Sequence, residues 1–305
     1  MAQKLTSFDR AEVRVLHIEP TTKCNLACPQ CHRTIGAPYY NHMTNRSELT
    51  LQSVMDTIDV ELVAQLQKVF MCGNFGEPVA CKEIVSIYKY FRTFNPTVTL
   101  GLNTHGGLRT PSWWTMLAEI FALPLDYVTF AIDGLEDTHK IYRVNSDFKK
   151  TLKNAEAYIQ AGGSAHWEML IFEHNEHQVE QCKQLAYDMG FTWFRAKVSK
   201  RFDYSDTVRP PAGYVEPEYS DKAIDCHALE ERSIYLAASG EVMPCCFFGS
   251  EVFSLDQRGR NLCHNTEALV SSWVDTPHRI CQYNCGTQAG KTRFKRQRNI
   301  EAQLR

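Results

Sequence analysis

Lys23-Cys24-Asn25-Leu26-Ala27-Cys28-Pro29-Gln30-Cys31-His32 is the stretch from which the rest of the chain is read. It spaces three cysteines as C-x3-C-x2-C. Three thiolates this close on one loop can share a polynuclear metal centre. With no fourth local ligand, one metal position stays open, as catalytic metal sites require. A zinc knuckle is the alternative, but structural zinc sites more often pair C-x2-C with a second pair. His32 adjoins the third cysteine; its direction depends on the backbone, so spacing assigns it no ligand role.

Around this loop the composition is that of an ordinary globular protein. The chain has 305 residues, 44% hydrophobic and 22% charged, with a formal net charge of −2. That length suits one large domain, or one plus a small one. The near-neutral charge gives no overall pull toward nucleic acid or membrane. No apolar run approaches the ~20 residues that span a bilayer, and the first ten residues lack the apolar core of a signal peptide. Twelve cysteines without a secretion signal point to a reducing compartment and to metal ligation rather than disulfides. A cytoplasmic protein is expected.

Apolar strand-like runs alternate with amphipathic helical segments over 13–199. The strands are read at Val13–Pro20, in K-V-F-M-C from Lys68, at Val98–Gly106, at Tyr127–Gly134, at Trp167–Asn175 and at Phe191–Val198. Between them, Leu51, Val54, Met55, Ile58, Leu62 and Leu66 recur at helical spacing, which predicts one helix over Leu51–Gln67. Thr110-Pro111 reads as a helix start, and Gly162 and Gly190 as helix stops. Six strand–helix units imply parallel strands with right-handed crossovers. An open sheet of Rossmann type is one arrangement. A partial (β/α)6 TIM-type barrel accounts better for the candidate polar groups, which sit at the C-terminal ends of several strands.

With a strand before it and these motifs after it, the cysteine loop resembles the signature of the radical S-adenosylmethionine (SAM) enzymes. The resemblance implies that Cys24, Cys28 and Cys31 hold a catalytic [4Fe–4S] cluster whose open iron chelates SAM. Reductive cleavage of SAM then yields a 5′-deoxyadenosyl radical that abstracts hydrogen from a substrate. Gly76-Glu77-Pro78 resembles the family's GGEP-like turn, where a carboxylate can meet the SAM ammonium group. Asn103-Thr104-His105-Gly106 resembles its T-N-G turn, with His105 in place of Asn. Ala131-Ile132-Asp133-Gly134 resembles its S-x-D-G, with Ala131 in place of Ser. Arg143 stands where an arginine can contact the SAM carboxylate; a solvent-exposed arginine is the alternative. Asn175 matches an asparagine near the adenosine. Gln30 departs from the aromatic residue that touches adenine. The implied cofactor-binding set is therefore Gly76, Glu77, Pro78, Thr104, Asp133, Arg143 and Asn175, with an electron donor such as flavodoxin or ferredoxin as partner.

The implied division is a barrel over 1–199, a Pro-rich linker over 200–225, a cysteine-rich unit over 226–290 and a basic tail over 291–305. Ser233–Cys245 reads as a hairpin turning at Ser239-Gly240. That hairpin can bring Cys226 and Cys245 together, with Cys281 and Cys285 closing from the other side. Four thiolates would hold a second, auxiliary [4Fe–4S] cluster, and the C-x13-G-x4-C piece resembles the SPASM domain in its abbreviated "twitch" form. A four-cysteine zinc site is the alternative. Cys246 can replace Cys245, and Cys263 is a spare. Cys72, Cys81 and Cys182 read as buried apolar residues, and Trp113-Trp114 as helix packing. The expected substrate is a peptide side chain or a small molecule, although no leader-binding module is read ahead of the barrel. Lys291, Arg293, Lys295, Arg296 and Arg298 leave two rivals: a radical SAM enzyme acting on RNA, and a zinc or Fe–S module binding nucleic acid. A solvated tail is favoured over either.

Overall fold

Alternation of side chains across each strand decides how this chain folds. The computed structural model describes residues 9–34, 47–199, 201–202, 206–216, 224, 226–247, 281, 285 and 300–304. Its elements run β1 (Val15–Ile18), α1 (Leu51–Thr57), α2 (Val60–Gln65), β2 (Lys68–Cys72), α3 (Ile84–Phe94) and β3 (Thr99–Thr104). They continue with α4 (Pro111–Ile120), β4 (Tyr127–Ala131), α5 (His139–Tyr142), α6 (Phe148–Gln160), β5 (Ala165–Ile171), α7 (Val179–Met189) and β6 (Trp193–Val198). Last come α8 (His227–Glu230), β7 (Ser233–Leu236), β8 (Val242–Met243) and β9 (Ile300–Gln303).

β1 to β6 lie side by side in chain order, each parallel to the next. A doubly wound sheet reverses its order at a switch point, and this one does not. An unbroken order with crossovers of one hand puts the helices on one side and curls the sheet into a partial barrel. The helix-facing positions are apolar and buried: Leu16 and Ile18, Val69 and Met71, Leu100 and Leu102, Val128 and Phe130, Trp167 and Met169. They pack against Val54, Leu62, Ile87, Phe91, Trp114, Leu117 and Ala155 from the helices. The opposite face lines the lumen. There Cys72, Asn103, Thr129, Glu168 and Lys197 are only partly buried.

Three features differ from the sequence reading. The helix expected over Leu51–Gln67 is two helices, because Asp59 accepts from Leu62 N (2.9 Å) and starts α2 as its N-cap. Cys81 and Cys182 belong to the core, but Cys72 does not: it ends β2 on the lumen face. The sheet also extends beyond the six barrel strands. β7 runs parallel to β1 and turns back into β8 at Gly240 (φ +87°), while β9 pairs antiparallel with β6. Trp114 is fully buried with Trp113 edge-on to it, as packing requires. Among the described residues, no helix is long and apolar enough to cross a membrane.

Asp126, just ahead of β4, fastens three elements. It accepts from Leu100 N of β3 (2.7 Å), from Leu123 N (2.9 Å) and from Arg92 of α3 (2.5 Å). Asp126→Ala should lower unfolding stability in urea by about 3–5 kcal/mol, the cost of leaving one partner of a buried pair alone.

Candidate active site

The cysteine loop leaves the C-terminal end of β1 and folds across the mouth of the barrel. Ala27 N donates to Val144 O (3.1 Å), Cys31 N to Cys28 O (3.0 Å) and Leu26 N to Cys24 Sγ (3.4 Å). Cys24, Cys28 and Cys31 gather around one small apolar cluster made by Leu26, Tyr142, Phe172 and Val208. Burial, the Glu77 carboxylate and the other two thiols push Cys24 up to about 12. A metal centre supplies the positive charge that lets neighbouring thiols ionise together. Among the described residues, no three His, Cys, Asp or Glu side chains converge on one point as ligands of a single ion would. Ligands of a polynuclear cluster each bind their own iron and need no such convergence.

The Gly76-Glu77-Pro78 turn is clamped to this loop. Glu77 N donates to Lys23 O (2.8 Å). A Cβ on Gly76 would stand 1.9 Å from Thr21 O, and one on Gly73 would stand 1.6 Å from Gly76 O. Only glycine permits either approach. The Glu77 carboxylate points inward and is 3% exposed. It accepts from Thr104 Oγ1 (2.5 Å), His105 N (2.9 Å) and Val79 N (3.3 Å). Glu77 and Thr104 thus hold the turn in shape. His105 Nδ1 accepts from Gly107 N (3.0 Å), so the neutral ring carries its proton on Nε2, 3.0 Å from Asn25 Oδ1. Burial keeps His105 below the usual histidine range.

Asp133 follows β4 and is fully buried. It accepts from Leu170 N (2.6 Å) and from Arg143 Nε (2.6 Å). Arg143 is therefore not a surface residue. Its Nη1 reaches to 4.0 Å from Cys28 Sγ, and the Asp133 carboxylate holds it firmly charged. Asn175 uses its whole amide on the backbone: Phe172 N donates to Oδ1 (2.7 Å), and Nδ2 donates to Leu170 O (2.9 Å) and Asp133 O (3.2 Å). It shapes the loop after β5. Gln30 is buried; its Oε1 accepts from Ser199 Oγ (2.6 Å), and its Nε2 has no partner among the described residues.

The second cysteine group also comes together. Cys226, Cys245, Cys281 and Cys285 pack in one cluster with Ile224 and Met243. Cys246 turns the other way, toward Asn74, whose Nδ2 donates to its carbonyl (3.0 Å). Cys263 and the tail residues Lys291, Arg293, Lys295, Arg296 and Arg298 lie outside the described residues.

Sequence reasoning missed Glu19, the residue that joins these parts. Its Oε1 accepts from Phe75 N (2.6 Å) and Gly76 N (3.0 Å), and its Oε2 accepts from the Tyr235 hydroxyl of β7. A carboxylate directly after a buried strand was the available signal.

Strand ends, three clustered cysteines and a clamped glycine turn thus meet at one mouth of a partial barrel, a donor set that could hold a metal cofactor. The family comparison agrees: the radical SAM superfamily model matches residues 18–186, more than half of the chain. The chain belongs to the radical SAM superfamily, and that membership makes it an enzyme that uses SAM and a catalytic iron–sulfur cluster. No curated protein matches it. Among solved structures, Streptococcus suis SuiB bound to S-adenosylmethionine is 14% identical, with a TM-score of 0.55 over 87% of this chain and 66% of that one. SuiB bound to the precursor peptide SuiA gives 12% identity and a TM-score of 0.57. Native anSMEcpe with bound AdoMet and the Cp18Cys peptide is 14% identical, with a TM-score of 0.57 over 89% and 88% of the two chains. The chain spans just under two thirds of the SuiB length. At these identities the shared property is the fold.

Burial pushes the Glu19 carboxyl from 4.5 up to about 7. The folded state therefore holds this proton more tightly than the unfolded chain. The resulting stability is complete below about pH 4.5 and is lost as pH rises to 7. Relative to Glu19→Gln, wild-type protein should lose melting temperature across that interval; a constant difference would contradict the assignment.

Proposed function

We propose that the protein is a radical SAM enzyme of the oxidoreductase or maturase type, with a catalytic [4Fe–4S] cluster and an auxiliary one. The observation that carries this reading is the union of the cysteine loop, the Gly76-Glu77-Pro78 turn and the Asp133–Arg143 pair at one barrel mouth. When bound, the cluster and SAM supply a 5′-deoxyadenosyl radical that takes a hydrogen atom from the substrate.

The chain's own residues do the rest. Cys24, Cys28 and Cys31 hold the catalytic cluster. Arg143 brings a fixed positive charge to Cys28 and keeps guanidinium N–H groups for the SAM carboxylate. The backbone of the turn around Gly76 and Pro78 meets the SAM amino group, and Glu77, Thr104, Asp133 and Asn175 hold that surface in place. Cys226, Cys245, Cys281 and Cys285 hold the auxiliary cluster; four thiolates leave no open iron, so its role is electron transfer. Peptides bound by SuiB and anSMEcpe support a peptide substrate. A flavodoxin or ferredoxin supplies the electron, in the cytoplasm.

Anaerobic reconstitution with iron and sulfide tests this. About eight irons per chain are expected, falling to about four in the Cys24/Cys28/Cys31→Ala variant, where four thiolates remain for one cluster. Dithionite-driven formation of 5′-deoxyadenosine from SAM should vanish in that variant and in Cys28→Ala. Turnover retained by Cys28→Ala would sink the assignment. Zinc at the C-terminal cysteines, with cleavage intact, would remove the electron-transfer role alone.

A further inference from the structure

The turn that carries Gly76 is tied at two points to the C-terminal unit. The first tie runs through Glu19, which is fully buried. Its Oε1 takes the N–H groups of Phe75 (2.6 Å) and Gly76 (3.0 Å). Its Oε2 takes the hydroxyl of Tyr235, a buried residue of β7. The peptide units here are trans, so each carbonyl points opposite to the N–H of its own unit. With both N–H groups turned to Glu19, the carbonyls of Asn74 and Phe75 face away from it. Carbonyls are the acceptors that an ammonium group requires. The second tie is direct: Asn74 Nδ2 donates to the carbonyl of Cys246 (3.0 Å), the residue next to Cys245.

Both ties lead to the second cysteine group. Tyr235 is in register with Met243 of β8, and Met243 packs with Cys226, Cys245, Cys281 and Cys285. β8 is only two residues long, so its ladder alone holds it weakly. Ligation of Cys245, two residues further on, fixes its far end. On the other side, Glu19 N donates to Leu236 O (2.9 Å), which seats the end of β1 on β7.

We propose, resting on the radical SAM reading, that the C-terminal unit completes the SAM site: a metal centre in the second cysteine group tightens SAM binding by fixing the Gly76 turn. Tyr235, Glu19 and Asn74 are the positioning residues, and their side chains act through the turn. This role is separate from electron transfer, and iron or zinc in the second group serves it alike. Linkage makes the effect reciprocal: SAM at the mouth strengthens metal retention in the second group by the same factor.

Equilibrium dialysis of radiolabelled SAM against the anaerobically reconstituted protein, without reductant, tests this. Tyr235→Phe and Asn74→Ala should each weaken SAM binding by about fivefold or more, the lower end of measured site–site couplings. Both variants should stay folded by circular dichroism and keep the iron of the catalytic cluster. Ser239→Ala, at the exposed tip of the same hairpin, should bind as wild type does. Glu19→Gln keeps an oxygen for the two N–H groups and a polar group for Tyr235, so it should retain affinity that Glu19→Ala loses. Cys281→Ser with Cys285→Ser, which empties the second group, should weaken SAM binding by a similar factor, and adding Tyr235→Phe should then change it no further. In the reverse direction, saturating SAM should lower the fraction of C-terminal metal lost to a competing chelator. Wild-type affinity in both Tyr235→Phe and Asn74→Ala would overturn the proposal, and so would effects of Tyr235→Phe and the cysteine changes that simply add. A wild type that binds SAM equally with the second group filled or empty fails this proposal alone. A wild type that binds no SAM fails the radical SAM reading, and this proposal with it.

Discussion

A carboxylate taken out of water must find donors to replace it, and at Glu77 those donors come from the next strand. The Thr104 hydroxyl and the His105 N–H both end on it, while its own N–H ends on Lys23 of the cysteine loop. One residue, through its side chain and its backbone N–H, thus joins the ends of β2 and β3 to the loop that follows β1. The geometry of the mouth depends on this link. If Glu77 swung out, Gly76 would leave its close approach to Thr21.

Asp133 repeats the device one strand further on. It is equally dry, and it too receives a backbone N–H from the neighbouring strand, from Leu170. Its second oxygen holds Arg143, so the loop after β4 delivers a cation to Cys28. Glu19 does the same between β1, the glycine turn and β7. Three strand-end acids therefore carry polar chemistry across an apolar frame, each with its hydrogen-bonding capacity met within the fold.

The cysteine spacing, the six strands and the order of the strand-end motifs were legible because each is a local pattern. Val69 and Met71 alternate with Phe70 and Cys72, and that alternation needs no knowledge of the rest of the chain. Asp133 and Arg143 were legible as residues, but not as a pair enclosing the Cys28 side. Other features were hidden for physical reasons. Cys72 looks apolar in a run of apolar neighbours, and only the pleat of β2 turns it to the lumen, while Cys81 after a short helical turn and Cys182 in α7 lie in the core. The break before Asp59 was hidden because an amphipathic pattern continued through a capping residue. Glu19 lacked any motif, since its partners lie 56 and 216 residues away.

β7 and β9 also bear on how the chain reaches this state. β1 is flanked on one side by β2 and on the other by β7, which lies more than two hundred residues later in the chain. β6 similarly waits for β9. Contacts of such separation form late, because the closure entropy of the intervening chain comes before their reward. Until then both rims of a parallel sheet stand unpaired, and unpaired rims are templates for other chains. The barrel is therefore most exposed to misassembly during synthesis, after its six strands have emerged and before the two late strands have sealed its edges.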